Sequence, residues 1–243
     1  MSRFWNFLSC LGRTTAGRVG AILLTGGLLS TNDNHLFHYT HPIDQRETAW
    51  VDSVFHQLSE EARLGQLFML RAHSDKDSLY EAGVDSLIRR YHPGGLCFFQ
   101  GTPEKQAALT NRYQAASPRL PLMIAMDFEN GVGMRYKGNA ISFPRAMMLG
   151  AIQDNRLLYE MGREIARECL RMGVHVNFAP VADVNNNPGN PVIGERSYGE
   201  DRYNVAAKAY QYMSGLQDGG VLASVKHFPG HGDTDMDSHF DLP

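Results

Sequence analysis

The chain has 243 residues, 23 of them basic and 26 acidic, with a formal net charge of −3; 43% are hydrophobic and 20% charged. At ~150 residues per domain this is one large or two small domains, and the ordinary globular composition argues against a disordered chain, a collagen repeat or a disulfide scaffold. The near balance of charge supplies no basic field to hold a polyanion, so no nucleic-acid partner is expected.

Residues 1–32 contain Arg3, Arg13 and Arg18, no acid, and an apolar run from Val19 to Leu29 followed by Ser30-Thr31-Asn32. A basic start and a short apolar centre describe a signal peptide or N-terminal anchor, and so an exported protein. The run is shorter than the ~20 residues of a membrane span, and no later segment is apolar over such a length, so the body is expected not to cross a membrane. Residues 33–48 are polar, carry His35, His38 and His41, and are expected to be a linker to a body at 49–243. Cys10, Cys97 and Cys169 fit neither a metal site nor a disulfide framework. Cys97 and Cys169 lie in apolar runs and read as buried small hydrophobes.

In the body, Val51, Val54, Phe55, Leu58 and Ala62 have helical spacing. Gly65 to Leu70 reads as a buried strand. A helix carrying Val84, Leu87, Ile88 and Tyr91 stops at Pro93-Gly94. Gly95 to Phe99 is the second strand. Thr102-Pro103 supplies an N-cap and a proline at N1 for a helix to about Ser117. Leu122 to Met126 is the third strand. Asp154 caps a helix with Leu157, Leu158, Met161 and Ile165 inward, and Val174 to Val181 is the fourth strand. A helix from Asp201 presents Val205, Ala209, Tyr212, Met213 and Leu216 and stops at Gly219-Gly220; Val221 to Lys226 is the fifth strand.

Short strands, apolar on both faces and alternating with helices, mean a parallel sheet covered by helices. An open doubly wound sheet and a (β/α)8 barrel both fit. No G-x-G-x-x-G follows the first strand, which removes the main signal for a dinucleotide fold. Polar residues gather instead just after the strands, at Asp127, in the 183–201 loop and at Lys226-His227. Barrel enzymes carry their chemistry at that end. The expected fold is therefore an α/β, TIM-type barrel truncated after about five βα units.

The segment from Lys226 to His239 holds three His, three Asp and a Lys within 14 residues. A zinc site of His227, His231 and His239 with Asp233, Asp235 and Asp237 is disfavoured, because Pro229 and Gly230 break the helix that an H-x3-H pair needs. A calcium loop fails because Ser238 stands where glycine is required. A solvated acidic turn explains the Asp residues but not Lys226-His227 at the end of an apolar strand. The remaining alternative is an acid/base loop. In extended chain, residues i and i+2 share a side, so Asp237 can hold His239 and favour its imidazolium. A histidine so held protonates a leaving oxygen and later deprotonates water. Gly230 and Gly232 are expected to let the loop swing.

Lys-His-Phe-Pro-Gly-His-Gly-Asp-Thr-x-x-Asp-Ser-His resembles the signature of family 3 glycoside hydrolases, in the β-N-acetylglucosaminidase branch and closest to its exported bacterial members. Asp127-x-Glu129-x-Gly131…Arg135 and Gly194-Glu-Arg196-Ser-Tyr precede it in family order. The resemblance covers about residues 50–243 and implies a carbohydrate substrate, no metal or organic cofactor, and a periplasmic or cell-envelope location. It implies that Asp127, Arg135, Arg196, Lys226 and His227 bind the sugar, with His239 as acid/base oriented by Asp237. By this pattern a His replaces one carboxyl group of the usual pair. Arg196 also has structural partners in reach along the chain, in Glu195, Glu200 and Asp201. Asp183 and Asn185–Asn187 read as turn formers, His231 as a shaper of the loop, and His175 as a core residue. Phe128 and Asn130 depart from the family pattern.

The implied reaction is retaining hydrolysis of terminal, non-reducing β-linked N-acetylglucosamine in peptidoglycan or chitin-type fragments. Its nucleophilic Asp is expected beyond residue 243, so the 243-residue chain alone is expected to be inactive. The alternative is a catalytically dead sugar-binding fragment or a truncated gene product.

Overall fold

A computed structural model describes residues 45–136 and 140–242, with only the backbone given for 45–48. The chain divides into two compact units, Met1–Glu60 and Glu61–Pro243. In the first, helix α1 (Gln45–Gln57) is described. It begins inside the stretch expected to be linker; the rest of that stretch and the leader lie outside the described residues. Among the described residues no helix is long and apolar enough to cross a membrane.

The short helix α2 (Glu60–Gly65) leads into the second unit. The single helix expected across Val51–Ala62 is thus two. The strand expected at Gly65–Leu70 also starts later. Gln66, Leu67 and Phe68 donate their amides back to Ala62, Leu64 and Gly65, which closes turns rather than a ladder, and Leu67 is 81% exposed.

Five parallel strands follow: β1 (Met69–Ala72), β2 (Gly95–Phe98), β3 (Met123–Met126), β4 (Val176–Asn177) and β5 (Leu222–Ala223). Their spatial order is β1-β2-β3-β4-β5, with Met69 opposite Gly95, Gly95 opposite Met123, Ala125 opposite Val176 and Val176 opposite Leu222. A doubly wound sheet reverses its strand order at a switch point. This one never does, as in the successive units of a barrel, so the expected fold class holds.

The intervening helices are α3 (Ser78–Tyr91), α4 (Pro103–Ala116), α5 (Ala146–Gly150), α6 (Arg156–Arg171) and α7 (Arg202–Asp218). Asp77 accepts the Tyr80 amide to cap α3, Thr102 accepts that of Lys105 with Pro103 at the first turn of α4, and Asp201 accepts those of Tyr203 and Asn204 at α7. His92, at φ 50°, ends α3 in the left-handed region just before Pro93. Leu158, Met161, Ile165 and Cys169 of α6 and Val205, Ala209, Tyr212 and Leu216 of α7 are buried. Leu157, expected inward, is 53% exposed, because the buried face of α6 runs through Leu158. The backbones of α6 and α7 nearly touch: a Cβ on Gly215 would stand 2.2 Å from the Tyr159 carbonyl oxygen.

Strands four and five are shorter than expected. Pro180 has no N–H to give, and the Ala179 amide turns back to Asn177 O, so the ladder breaks after Asn177. Pairing resumes at a parallel bridge between Val181 and Lys226, where the Lys226 amide donates to Pro180 O and its carbonyl accepts from Ala182. That bridge lays Lys226 beside the chain leaving β4.

Candidate active site

Beyond β3 the chain runs through Asp127 and Phe128 into a turn that begins at Glu129. Phe128 is fully buried and packs edge-on against Tyr136, while its two acidic neighbours are only partly buried. The peptide groups of Phe128 are gripped from β4 and α7. Asn177 Oδ1 accepts its amide at 2.8 Å, while Asn177 Nδ2 and the Tyr212 hydroxyl donate to its carbonyl at 3.3 and 2.6 Å.

From this platform a line of charges runs across the strand ends. Arg135 Nη2 lies 3.3 Å from Asp127 Oδ2, and its guanidinium sits 5.5 Å over the Phe99 ring. Lys226 Nζ bridges Asp127 Oδ1 at 2.7 Å and Glu129 Oε1 at 2.8 Å. Arg196 forks onto Glu129 with Nε at 3.0 Å and Nη2 at 2.8 Å, the bidentate geometry that gives guanidinium–carboxylate pairs their strength. The structure thus pairs Arg196 with Glu129, 67 residues away, and not with its sequence neighbours Glu195, Glu200 and Asp201. Arg196 Nη2 also stands 3.5 Å from His227 Nε2.

Asp183 lies behind His227, with its side chain wholly buried. Its Oδ2 accepts the His227 amide at 3.1 Å and His227 Nδ1 at 2.6 Å, and its Oδ1 accepts the His231 amide at 2.6 Å. Read as a turn former from sequence, Asp183 is instead the anchor of this end of the cluster. Burial alone would raise its pKa; the His227 hydrogen bond and the His231 amide outweigh burial and lower it. Glu129 shows the same contest. Burial raises it, Arg196 and Lys226 lower it more, and it falls to about 2. Two carboxylates (Asp127, Glu129) therefore meet three cations (Arg135, Lys226, Arg196), with Asp183 behind His227 at one end, in a half-buried seam whose hydrogen-bonding groups are already aimed. Such a seam can receive a polyhydroxylated ligand with little reorganisation.

Cys97, expected to be buried, is partly exposed and belongs to this neighbourhood. Burial, and after it the Asp127 charge, push its thiol up to about 11, so it presents no thiolate at neutral pH. His175 accepts the Ile124 amide on Nδ1 at 3.0 Å, and burial lowers its pKa, as fits a core histidine.

The loop after β5 carries the other expected pair. Asp237 Oδ1 accepts both the His239 amide at 2.9 Å and His239 Nδ1 at 2.6 Å. The amide of His239, then its ring, lower the Asp237 pKa. His239 is 79% exposed, and among the described residues no hydrogen bond or ion pair joins it to the charged seam. The link is indirect. His231 meets Thr234 Oγ1 through Nδ1 and lies 3.2 Å from Ser238 Oγ through Nε2, and Ser238 sits between the two members of the pair. Asn190 Nδ2 donates to the carbonyls of His231 and Thr234 at 2.6 and 2.9 Å. His231 does shape the loop. Gly232 is not the hinge expected of it: a Cβ there would lie 1.8 Å from the Val184 carbonyl oxygen, so it is a site of close packing. Gly230, at φ 143°, has open space around it.

The structure therefore gathers Asp127, Arg135, Arg196, Lys226 and His227 and forms the Asp237–His239 pair apart from them. It adds Glu129, Asp183 and Asn177. Glu129 was within reach of the sequence, since it stands in the same Asp127-x-Glu129-x-Gly131 motif; Asp237 and His239 meet across a turn rather than along extended chain. Asp183 follows the apolar Val181-Ala182 at a strand end, which is the signal that could have marked it.

Comparison with known proteins matches residues 59–243 to the glycosyl hydrolase family 3 N terminal domain. Beta-hexosaminidase A of Pseudoalteromonas piscicida is 39% identical over 66% of this chain and 29% of its own length. Beta-hexosaminidase LpqI of Mycobacterium tuberculosis is 33% identical over 75% of this chain and 46% of its own. The chain thus spans less than half the length of either relative. Among solved structures, a family 3 beta-N-acetylglucosaminidase from a Paenibacillus superposes with a TM-score of 0.66 at 38% identity, covering 75% of this chain and 35% of that one. The beta-glucoside phosphorylase BglX superposes at 0.72 with 29% identity, over 81% and 35%. With a match across that span, the chain belongs to glycoside hydrolase family 3.

Proposed function

We propose that this chain supplies the sugar-binding cleft and the acid/base loop of an exported β-N-acetylglucosaminidase, which releases terminal, non-reducing β-linked N-acetylglucosamine with retention of configuration. The observation that carries this is the seam in which Lys226 bridges Asp127 and Glu129 while Arg196 forks onto Glu129. Carboxylates flanked by cations offer both acceptors and donors to adjacent sugar hydroxyls. Asp127, Arg135, Lys226, Arg196 and His227 are the ligands of the sugar. His239, with Nδ1 on Asp237, presents Nε2 outward. It gives a proton to the departing glycosidic oxygen, and Asp237 stabilises the imidazolium beforehand. It then takes a proton from the incoming water. The retaining route also requires a carboxylate nucleophile. Likeness to the named hexosaminidases supports the N-acetyl sugar, and a peptidoglycan or chitin-type fragment is the substrate class proposed. The leader at 1–32 supports delivery to the bacterial periplasm or cell envelope.

The test is hydrolysis of chromogenic β-N-acetylglucosaminide and β-glucoside by the full-length protein, with and without inorganic phosphate because one structural neighbour is a phosphorylase. Selective release from the N-acetyl sugar, with the β-anomer appearing first by NMR, is expected. Preference for the glucoside, or an α-anomer first, would overturn the proposal.

A further inference from the structure

Asp183 has no place in the chemistry above, yet it is the most enclosed charge near the cleft. One carboxylate takes three N–H donors: the amide and Nδ1 of His227 on one oxygen, and the amide of His231 on the other. Its own backbone is held too, since Ser197 Oγ donates to the Asp183 carbonyl at 2.6 Å.

The consequence for His227 is a choice of tautomer. A carboxylate accepts, so Nδ1 carries the proton. Nε2 faces Arg196 Nη2, a cationic donor, at 3.5 Å, which disfavours a second proton there and leaves it the lone pair. The opposite tautomer would set N–H against N–H on the cleft side and leave a lone pair against a buried anion on the other. The consequence for the loop is attachment. Through the His231 amide, the same carboxylate holds the residue whose ring reaches Ser238, between Asp237 and His239.

We propose that Asp183 is a positioning residue that fixes His227 as the Nδ1–H tautomer, an acceptor toward the sugar, and ties the root of the Asp237–His239 loop to the sugar cleft. This rests on the sugar-cleft function proposed above for its consequence, but not for its first test.

That test needs no turnover. Nitrogen-15 NMR of histidine-labelled full-length protein at neutral pH should show His227 protonated on Nδ1 alone. In Asp183→Asn the amide keeps one acceptor for His231 and turns its NH2 toward His227, which should move the proton to Nε2. Affinity for N-acetylglucosamine should then fall roughly 10-fold or more, as when a buried hydrogen-bonding group loses its partner. Asp183→Asn should raise KM, and lower kcat on poor leaving groups as the loop loosens. A residue that only stabilised the fold would lower the melting temperature without moving the tautomer. A proton on Nε2, or on both nitrogens, in the unaltered protein overturns the proposal, as does an unchanged tautomer in the variant. Where the variant does not fold, the unaltered protein decides. A correct tautomer in a protein inactive on N-acetylglucosaminides would sink the functional proposal and leave this one standing.

Discussion

The charged seam and the loop after β5, which the proposed function joins in one site, are built in opposite ways. In the seam the ionised groups are at least half-buried, and Lys226 and Arg196, whose side chains are only 16% and 22% exposed, reach carboxylates that follow a different strand. On the loop, His239 is 79% exposed and its partner stands two residues away, while Phe228 and Phe240 are 97% and 87% exposed. A sugar must be gripped in one orientation, which favours groups fixed in advance. A proton donor must reach an oxygen whose position depends on what is being released, which favours a group carried on a tethered arm.

The sharpest test of that contrast is His239→Ala. Turnover of poor leaving groups should fall roughly 10²–10⁴-fold and that of good ones far less, with sugar affinity unchanged. Equal losses on both would place His239 in the seam's role. Next is Lys226→Ala, which removes the cation shared by Asp127 and Glu129. Each carboxylate keeps a guanidinium, so the cost falls below the about 3–5 kcal/mol of an uncompensated buried charge, but both stability to urea and kcat/KM should drop, and a variant of wild-type stability would show that the seam is not preformed. Acid titration probes the same seam. Glu129 falls to about 2 in the folded protein, below its ordinary value of about 4.5. Its stabilisation is therefore complete above pH ~4.5 and is lost as pH falls toward 2, a change of about 3 kcal/mol at most. The stability gap to Glu129→Gln should close over that window; a gap independent of pH would remove the ionised Glu129.

Smaller effects separate the loop's root from its tip. Gly232→Ala drives a methyl into the Val184 carbonyl and should cost about 1–3 kcal/mol, slowing turnover while sparing sugar affinity measured by calorimetry. Normal turnover would mean that the root need not be packed. Asp77→Ala, which removes a helix cap remote from both regions, should lower stability by about 1 kcal/mol. Any change in sugar affinity from it would blur the division drawn here.

Local rules found the longer helices but not all their breaks. Thr102-Pro103 and Asp201 announce their own helix starts, and alternation of apolar segments gives the parallel sheet, whereas the break between α1 and α2 and the short α5 carried no such signal. The candidate site residues came from a 14-residue motif and its two partners through their family resemblance, and the structure sets Asp127 and Lys226 just past the strands. What could not be read was set by contacts far along the chain. Strand four looks continuous from Val174 to Val181, but its ladder breaks after Asn177 at the Ala179 turn and Pro180 and resumes only where Lys226 meets Val181. Asp183 looks like a turn residue until His227 and His231, 44 and 48 residues later, point their N–H groups at it. Gly232 looks like a hinge until the Val184 carbonyl is found against it.

The grip on Phe128 bears on how the molecule assembles. The spacing of Asp127 and Glu129 is fixed by Asn177 and Tyr212, which come 49 and 84 residues later. Early strands alone cannot set it, since such distant partners meet only after a large loss of chain freedom. On the proposed function, a sugar would therefore bind only once β4 and α7 have docked on this segment, and ligand capture would serve as a stringent gauge of whether a newly made or refolded molecule has finished folding.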